Sequence, residues 1–224
     1  MNILITGVHG FVGSNLVKYL AKENTIYGLD IVQPQKDGVM CTFSWDALDV
    51  ENGLPEIDAI IHLAGMAHDT RNKSAADVYF KVNTGLTQKI FDWYMASPTA
   101  KKFVFFSTVK SAADRVKGEF LTEECVPTPV GPYGESKIKA EDYIIKKFAP
   151  KALKRPFHNF DDSDSIVSDK QVYIIRPCMI HGPGNKGNLN MLYGVVKKGI
   201  PWPLGAFENR RSFTSIGNLC VVIE

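Results

Sequence analysis

The chain is short of the features that would tie it to a metal, a membrane or a nucleic acid. It has only four cysteines, Cys41, Cys125, Cys178 and Cys220, far apart and without a C-x-x-C pair. That excludes a zinc-knuckle arrangement and a disulfide-stapled scaffold, and it fits a reducing compartment. The five histidines, His9, His62, His68, His158 and His181, include no two at ligand spacing, so no metal is expected. Lys and Arg number 26 against 24 Asp and Glu, a net charge of +2. So even a balance offers no electrostatic case for nucleic acid or an acidic lipid surface. No apolar run approaches the ~20 residues that span a bilayer. The N-terminus lacks the basic head and apolar stretch of a secretory signal. The expected setting is the cytoplasm, without membrane insertion.

What is present is an ordinary globular composition, 45% hydrophobic and 22% charged over 224 residues, enough for one sizeable core. Short apolar runs recur at 2–6, 25–29, 57–65, 101–108 and 171–177, with a weaker one at 40–43. Continuous apolar runs of this length are what parallel strands covered on both faces require. Between them lie helical patterns. Val12, Leu16 and Leu20 repeat every fourth residue, and Val78, Val82, Leu86, Ile90 and Trp93 form one stripe. A third helix is expected over 133–148, with Pro150 close behind it. Strand and helix alternate, which predicts an α/β fold with right-handed crossovers. Residues 151–170 are polar and acidic in the middle and read as a solvated excursion. From Met179 onward the chain is rich in Gly, Pro and Asn and does not read as another clean βα unit. No internal repeat or low-complexity tract is visible.

The first strand runs into "GVHGFVG", with glycines at Gly7, Gly10 and Gly13. A turn that merely needs flexibility is one explanation. The other is a turn that lets a ligand approach the backbone. Strand, glycines and helix in that order are the context of a dinucleotide fingerprint: the first glycine for the tight turn, the second for a pyrophosphate at the helix N-terminus, the third for close packing. The spacing is one residue longer than G-x-G-x-x-G. Asp30 closes the second strand, about twenty residues on, where an acid accepts hydrogen bonds from ribose hydroxyls. It would repel a 2′-phosphate, so NAD is expected rather than NADP.

"PYGESK" places Tyr133 and Lys137 four apart on one helical face. An ammonium beside a phenol favours the phenolate and lowers its pKa, so the pair can exchange a proton with a hydroxyl or carbonyl. The pattern alone is common. Together with "TGVHGFVG", Asp30, "IIHLAG", "KVNTG", "FFST" and "IIRPCMIHGPGN", in that order along almost the whole chain, it resembles the extended short-chain dehydrogenase/reductase family, in its NAD-dependent nucleotide-sugar epimerase and dehydratase group.

The resemblance implies a Rossmann-type doubly wound parallel sheet over residues 1–177 and a small, truncated substrate-binding region over 178–224. It implies an NAD site at Gly7, Gly10, Phe11, Val12, Gly13, Asp30, Leu63, Ala64, Gly65 and Asn83, with Tyr133 and Lys137. Asp46 is assigned either to the adenine or to a helix N-cap. Tyr133 would be the acid/base, Lys137 would tune it, and Thr108, at the end of the fifth strand, would hold the reacting sugar oxygen. Ser107 reads as structural. Asn188 and Arg211 match positions that hold the nucleotide diphosphate, Arg210 beside them reads as solvated, and His68 and His181 as peripheral. The activity implied is oxidoreduction at C4 of a UDP-sugar, as a 4-epimerase or as a 4-keto reductase of surface-polysaccharide synthesis. A non-catalytic NAD-binding sensor or scaffold is the reading of another class. Dehydration is disfavoured, because Val109 and Lys110 stand where dehydratases carry an Asp-Glu pair. A homodimer through 78–93 and 133–148 is expected. Family members are usually longer, and "SIGNLCVVIE" looks like the opening of an amphipathic helix, so the region that closes over the sugar is expected to be missing.

Overall fold

Three consecutive apolar side chains in the first strand, Ile3, Leu4 and Ile5, have almost no exposed surface, because the strand is covered on both sides. In the computed structural model, which describes residues 1–67, 75–116, 118–148, 169–185, 187–199 and 210–224, this strand, β1 (Asn2–Thr6), lies near the middle of a six-stranded sheet. It is followed by helix α1 (Phe11–Leu20), β2 (Thr25–Leu29) and β3 (Cys41–Phe43). A 3₁₀ turn, Trp45–Asp49, leads to β4 (Ala59–His62). Next come α2 (Ala76–Tyr79), a π-helical stretch Phe80–Gly85, α3 (Leu86–Ala96) and β5 (Lys102–Phe106). Helices α4 (Val109–Ala112) and α5 (Pro132–Phe148) precede β6 (Gln171–Ile175). The chain continues through β7 (Met179–His181), α6 (Asn188–Lys197), β8 (Phe213–Ser215) and α7 (Ile216–Ile223).

The six strands run in the order β3-β2-β1-β4-β5-β6, all parallel, with Ile3 opposite Ile26 on one side and Ala59 on the other. Side-chain alternation divides the core. Ile3, Ile5, Ala59, Ile61 and Phe106 point to the layer containing Leu16, Val17 and Leu20 of α1 and Ile216, Leu219 and Cys220 of α7. Leu4, Ile60, Phe103 and Phe105 point to the opposite layer, with Ile90, Phe91 and Tyr94 of α3 and Ala140 and Ile144 of α5. This is the doubly wound arrangement. Strand order reverses between β1 and β4, which opens a crevice at their C-terminal ends.

Beyond β6, β7 and β8 pair in parallel with α6 between them and α7 after them, a β-α-β unit that the Gly- and Asn-rich sequence conceals. α7 starts on Ser215, whose hydroxyl accepts from the Asn218 N–H at 3.1 Å. The excursion expected over 151–170 lies, apart from Asp169 and Lys170, outside the described residues, as does His68.

Candidate functional site

Two turns leave the sheet at the crevice. After β1, Gly7 has φ +68°, and a Cβ there would lie 3.0 Å from the Ala64 nitrogen. Only glycine fits both the backbone conformation and the contact. At Gly13 a Cβ would come within 2.5 Å of the Gly7 carbonyl, so this glycine seats α1 against the turn. Gly10 is the N-cap of α1 and supplies no side-chain cap; its own N–H is donated to the Gly7 carbonyl at 2.9 Å, and Phe11 and Val12 after it open the helix with N–H groups that suit an anion. A cleft of about 480 Å³ runs along the outer side of this turn, past His9, Ser14, Asn15, Lys18 and Pro183. Thr108, Tyr133 and Lys137 do not line it. Asp30 stands just past β2. One carboxylate oxygen accepts from the Ile31 N–H at 2.8 Å and the other from the His9 N–H at 3.3 Å, which fixes the acid beside the glycine turn.

After β4 the backbone passes Leu63, Ala64 and Gly65. His62, fully buried, organises this exit. The Thr87 hydroxyl donates to the Asn83 carbonyl at 2.6 Å. It must therefore accept from His62 Nε2–H, 2.8 Å away. The His62 Nδ1 in turn accepts from the Thr6 hydroxyl at 2.7 Å. Thr6 Oγ1 then accepts the Leu63 and Ala64 N–H groups at 3.1 and 2.9 Å. Burial, with the nearby Lys137 charge, holds the imidazole well below its usual pKa, hence neutral. Asn83, in the π-helical stretch, accepts from Met66 N–H at 2.7 Å and donates to the Met66 carbonyl at 3.1 Å and to Ser136 Oγ at 2.9 Å. π turns recur at functional sites; this one brings Asn83 and Thr84 against α5 together. A Cβ on Gly65 would sit 2.9 Å from Asn83 Oδ1 and 3.2 Å from Lys137 Nζ.

Tyr133, Lys137 and Glu141 follow one another at four-residue steps along α5. The Tyr133 phenol shares a hydrogen bond with the Thr108 side chain. Thr108 Oγ1 already accepts the Lys110 N–H at 3.3 Å, so its own proton is available to the phenol. Burial pushes the phenol above its ordinary value, and the Thr108 hydrogen bond pulls it part of the way back. The lowering expected from Lys137 is absent from this balance, because its Nζ is turned to the Phe106 carbonyl at 2.8 Å, over the Phe105 ring. Lys137 is 5% exposed; burial brings its ammonium down to about 8, against the pull of Glu141. Thr108 does not end β5, which stops at Phe106; it is the N-cap of α4.

The structure thus brings Thr108, Tyr133, Lys137, Asn83 and Gly65 to one place, at the C-terminal edge of β4 and β5, with the glycine turn and Asp30 along the same edge. Asp46 is exposed in the first turn of the 3₁₀ segment, where Ser44 holds the N-cap position. Asn188 opens α6. Arg211 is exposed two residues before β8. Sequence reasoning passed over Ser136, Glu141 and Arg176. The signal for Glu141 was available: it lies one more helical step beyond Tyr133 and Lys137.

The profile of the NAD dependent epimerase/dehydratase family matches residues 3–161. UDP-glucose 4-epimerase of Vibrio cholerae is 33% identical over 237 residues, covering 99% of this chain and 65% of that protein. The N-acetyl-alpha-D-glucosaminyl-diphospho-ditrans,octacis-undecaprenol 4-epimerase of Escherichia coli O157:H7 is 26% identical, covering 100% of this chain and 62% of that protein. The chain therefore spans less than two thirds of the length of both. Among solved structures, MoeE5 in complex with UDP-glucuronic acid and NAD superposes with a TM-score of 0.75 at 22% identity, covering 100% of this chain and 71% of that one. UDP-glucuronic acid 4-epimerase from Bacillus cereus, in complex with UDP-glucuronic acid and NAD, superposes with 0.72 at 22% identity, covering 98% and 71%. These likenesses show a shared fold.

Proposed function

The chain belongs to the NAD dependent epimerase/dehydratase family, and on that premise we propose that it binds NAD and carries out oxidoreduction at C4 of a UDP-sugar, as a 4-epimerase. The observation that carries the reading is the Thr108–Tyr133 hydrogen bond, with the Lys137 ammonium one helical turn from the phenol. The residues fit the cofactor. The uncapped start of α1 and the glycine turn suit its pyrophosphate, and the anchored Asp30 carboxylate suits ribose hydroxyls. Bound NAD supplies the hydride acceptor and donor. The protein's own groups handle the proton: Tyr133 takes it from the sugar 4-oxygen or returns it, while the Thr108 hydroxyl holds that oxygen in line. Lys137 would steady the phenolate by turning its ammonium from the Phe106 carbonyl toward Tyr133. Arg211 and Asn188 are the candidates for the diphosphate, Arg211 because its fork donates two hydrogen bonds at once.

A 4-keto reductase would use the same three residues, and the matched proteins include GDP-6-deoxy-D-mannose reductase of Pseudomonas aeruginosa. The retention of Thr108, Tyr133 and Lys137 speaks against a sensor or scaffold. The deciding experiment offers the protein a panel of UDP-hexoses and UDP-N-acetylhexosamines, with and without NADH. Interconversion of 4-epimers without net NADH use supports epimerisation, and NADH consumed by a 4-keto sugar supports reduction. Tyr133→Phe should lower either rate by about 10²–10⁴-fold. No NAD binding and no turnover in the wild type would refute the reading.

A further inference from the structure

Glu141 has no part in the chemistry proposed above, yet its carboxylate is wholly buried. It is met by Ser107 Oγ at short range, by Ser111 Oγ at 2.7 Å, and by Arg176 through Nε at 3.0 and 3.1 Å and Nη2 at 2.5 Å. Arg176 is partly exposed, but the carboxylate is wholly out of water, and the desolvation of a buried charge often cancels what its ion pair gains over neutral packing of the same volume. Its presence asks for a reason other than stability.

The reason lies in what the carboxylate joins. Ser107 and Ser111 flank the turn that presents Thr108. The Ser111 hydroxyl also lies 2.7 Å from the Thr108 carbonyl. Arg176 comes just after β6 and just before Pro177, whose carbonyl accepts the Val109 N–H at 3.2 Å. One carboxylate therefore ties both flanks of Thr108 to the neighbouring strand end, from the helical face that carries Tyr133 and Lys137. We infer that Glu141 is a positioning residue for the reaction proposed above: it clamps the Thr108 turn against Tyr133, and its charge keeps the Lys137 ammonium in the site. The catalytic meaning of this rests on that reaction; the clamp and the charge do not.

Each element packed around Lys137 contributes to its electrostatic setting. Glu141 and Tyr133 face it from α5, and neutral His62 from β4. Asn83 and Tyr79 lie on the α2–α3 side. Arg176 is spent on Glu141, and Lys110 of α4 is paired with Asp114 at the surface. Among the described residues, Glu141 is the buried negative charge of this set.

The test uses lysine labelled with ¹³C at Cε and follows the Lys137 signal with pH, assigned by its loss in Lys137→Met. Neither cofactor nor sugar is needed, so a protein that fails every assay of the proposed activity still gives an answer here. In Glu141→Gln the Lys137 midpoint should fall by about half a pH unit or more, because the charge that raises it is gone. Amide exchange at Val109 and Ser111 should quicken about tenfold while β1 and β4 keep their protection. An unchanged or raised midpoint would overturn the inference, since a merely sealing residue would admit water and raise it. Unchanged exchange in the Thr108 turn would overturn it equally. If Glu141→Gln does not fold, the Glu141→Gln/Arg176→Met pair leaves no unpaired charge and is read by amide exchange alone, because losing the guanidinium offsets the charge change at Lys137: exchange at Val109 and Ser111 should still quicken about tenfold, and unchanged exchange there would overturn the clamp.

Discussion

Replacing Lys137 by methionine is expected to stabilise the protein while abolishing turnover. The ammonium is 5% exposed, and its pKa stands at about 8 against 10.5 for an ordinary lysine. That gap corresponds to about 3 kcal/mol by which the fold disfavours the charged form at neutral pH. Methionine keeps most of the stem's volume but leaves the Phe106 carbonyl, now 2.8 Å from Nζ, without its donor, a loss of about 1–2 kcal/mol. The net is a gain of about 1–2 kcal/mol at pH near 7. The sign of the pH dependence follows from a basic group whose folded pKa is depressed. Between about 8 and 10.5 the unfolded chain holds a proton that the folded chain does not. Wild-type stability therefore rises with pH through that window, and the advantage of Lys137→Met shrinks. Above it the neutral amine, still bonded to Phe106, is the more stable side chain. Urea unfolding of both proteins at about pH 7 and about pH 10 reads this directly. A methionine variant less stable than wild type at neutral pH would refute the reasoning. It would mean that the carbonyl and Glu141 more than offset desolvation. A stabilised but inactive variant would mark Lys137 as a residue kept against stability.

His62 is neutral in the fold and protonates in the unfolded chain as pH drops below about 6.5, so stability should fall with acid by up to about 1.4 kcal/mol per unit from this group. Urea midpoints from about pH 7 to about pH 4.5 should slope less in His62→Asn, and equal slopes would contradict the buried neutral assignment. The anchored Asp30 should favour NAD over NADP by roughly 1–3 kcal/mol in titration calorimetry, and equal affinities would show that the acid does not face the ribose. Val82, Leu86 and Trp93 are only half-buried in the monomer, leaving apolar surface beside α5 for a two-fold contact between copies. Light scattering at micromolar concentration should give a dimer, and a monomer would refute the contact.

The strands were legible because parallel strands covered on both faces must be apolar throughout, and β1 and β2 match the sequence reading residue for residue. The glycine turn was legible because steric needs at Gly7 and Gly13 admit one residue type. The helical segment between β4 and β5 was legible, but its inward face was not. Its apolar stripe, Val78, Val82, Leu86, Ile90 and Trp93, predicts the buried face, yet of these only Ile90 is fully buried. The positions that do face inward include Tyr79, Asn83, Thr84, Thr87, Phe91 and Tyr94. The wider turn at Phe80–Gly85 shifts the register, and three of the inward groups are polar. They are tolerated because each is bonded: Asn83 to Met66, Thr84 to the Ser136 carbonyl, Thr87 to His62.

α5 misleads in the same way. Its buried face is Gly134, Ser136, Lys137, Ala140, Glu141 and Ile144, a pattern that hydrophobicity alone assigns to the surface. Lys170 is a further case, its ammonium spent on the carbonyls of Tyr94 in the last turn of α3 and of Ser97 and Ala100 just beyond it. Periodicity measures how much apolar surface a face withdraws from water. It is blind to polar groups withdrawn from water in exchange for hydrogen bonds. A site that must hold a phenol, an ammonium and two hydroxyls in a dry setting is built from such groups. The pattern therefore fails at 83, 87, 136, 137 and 141 for the physical reason that makes those positions candidates for function.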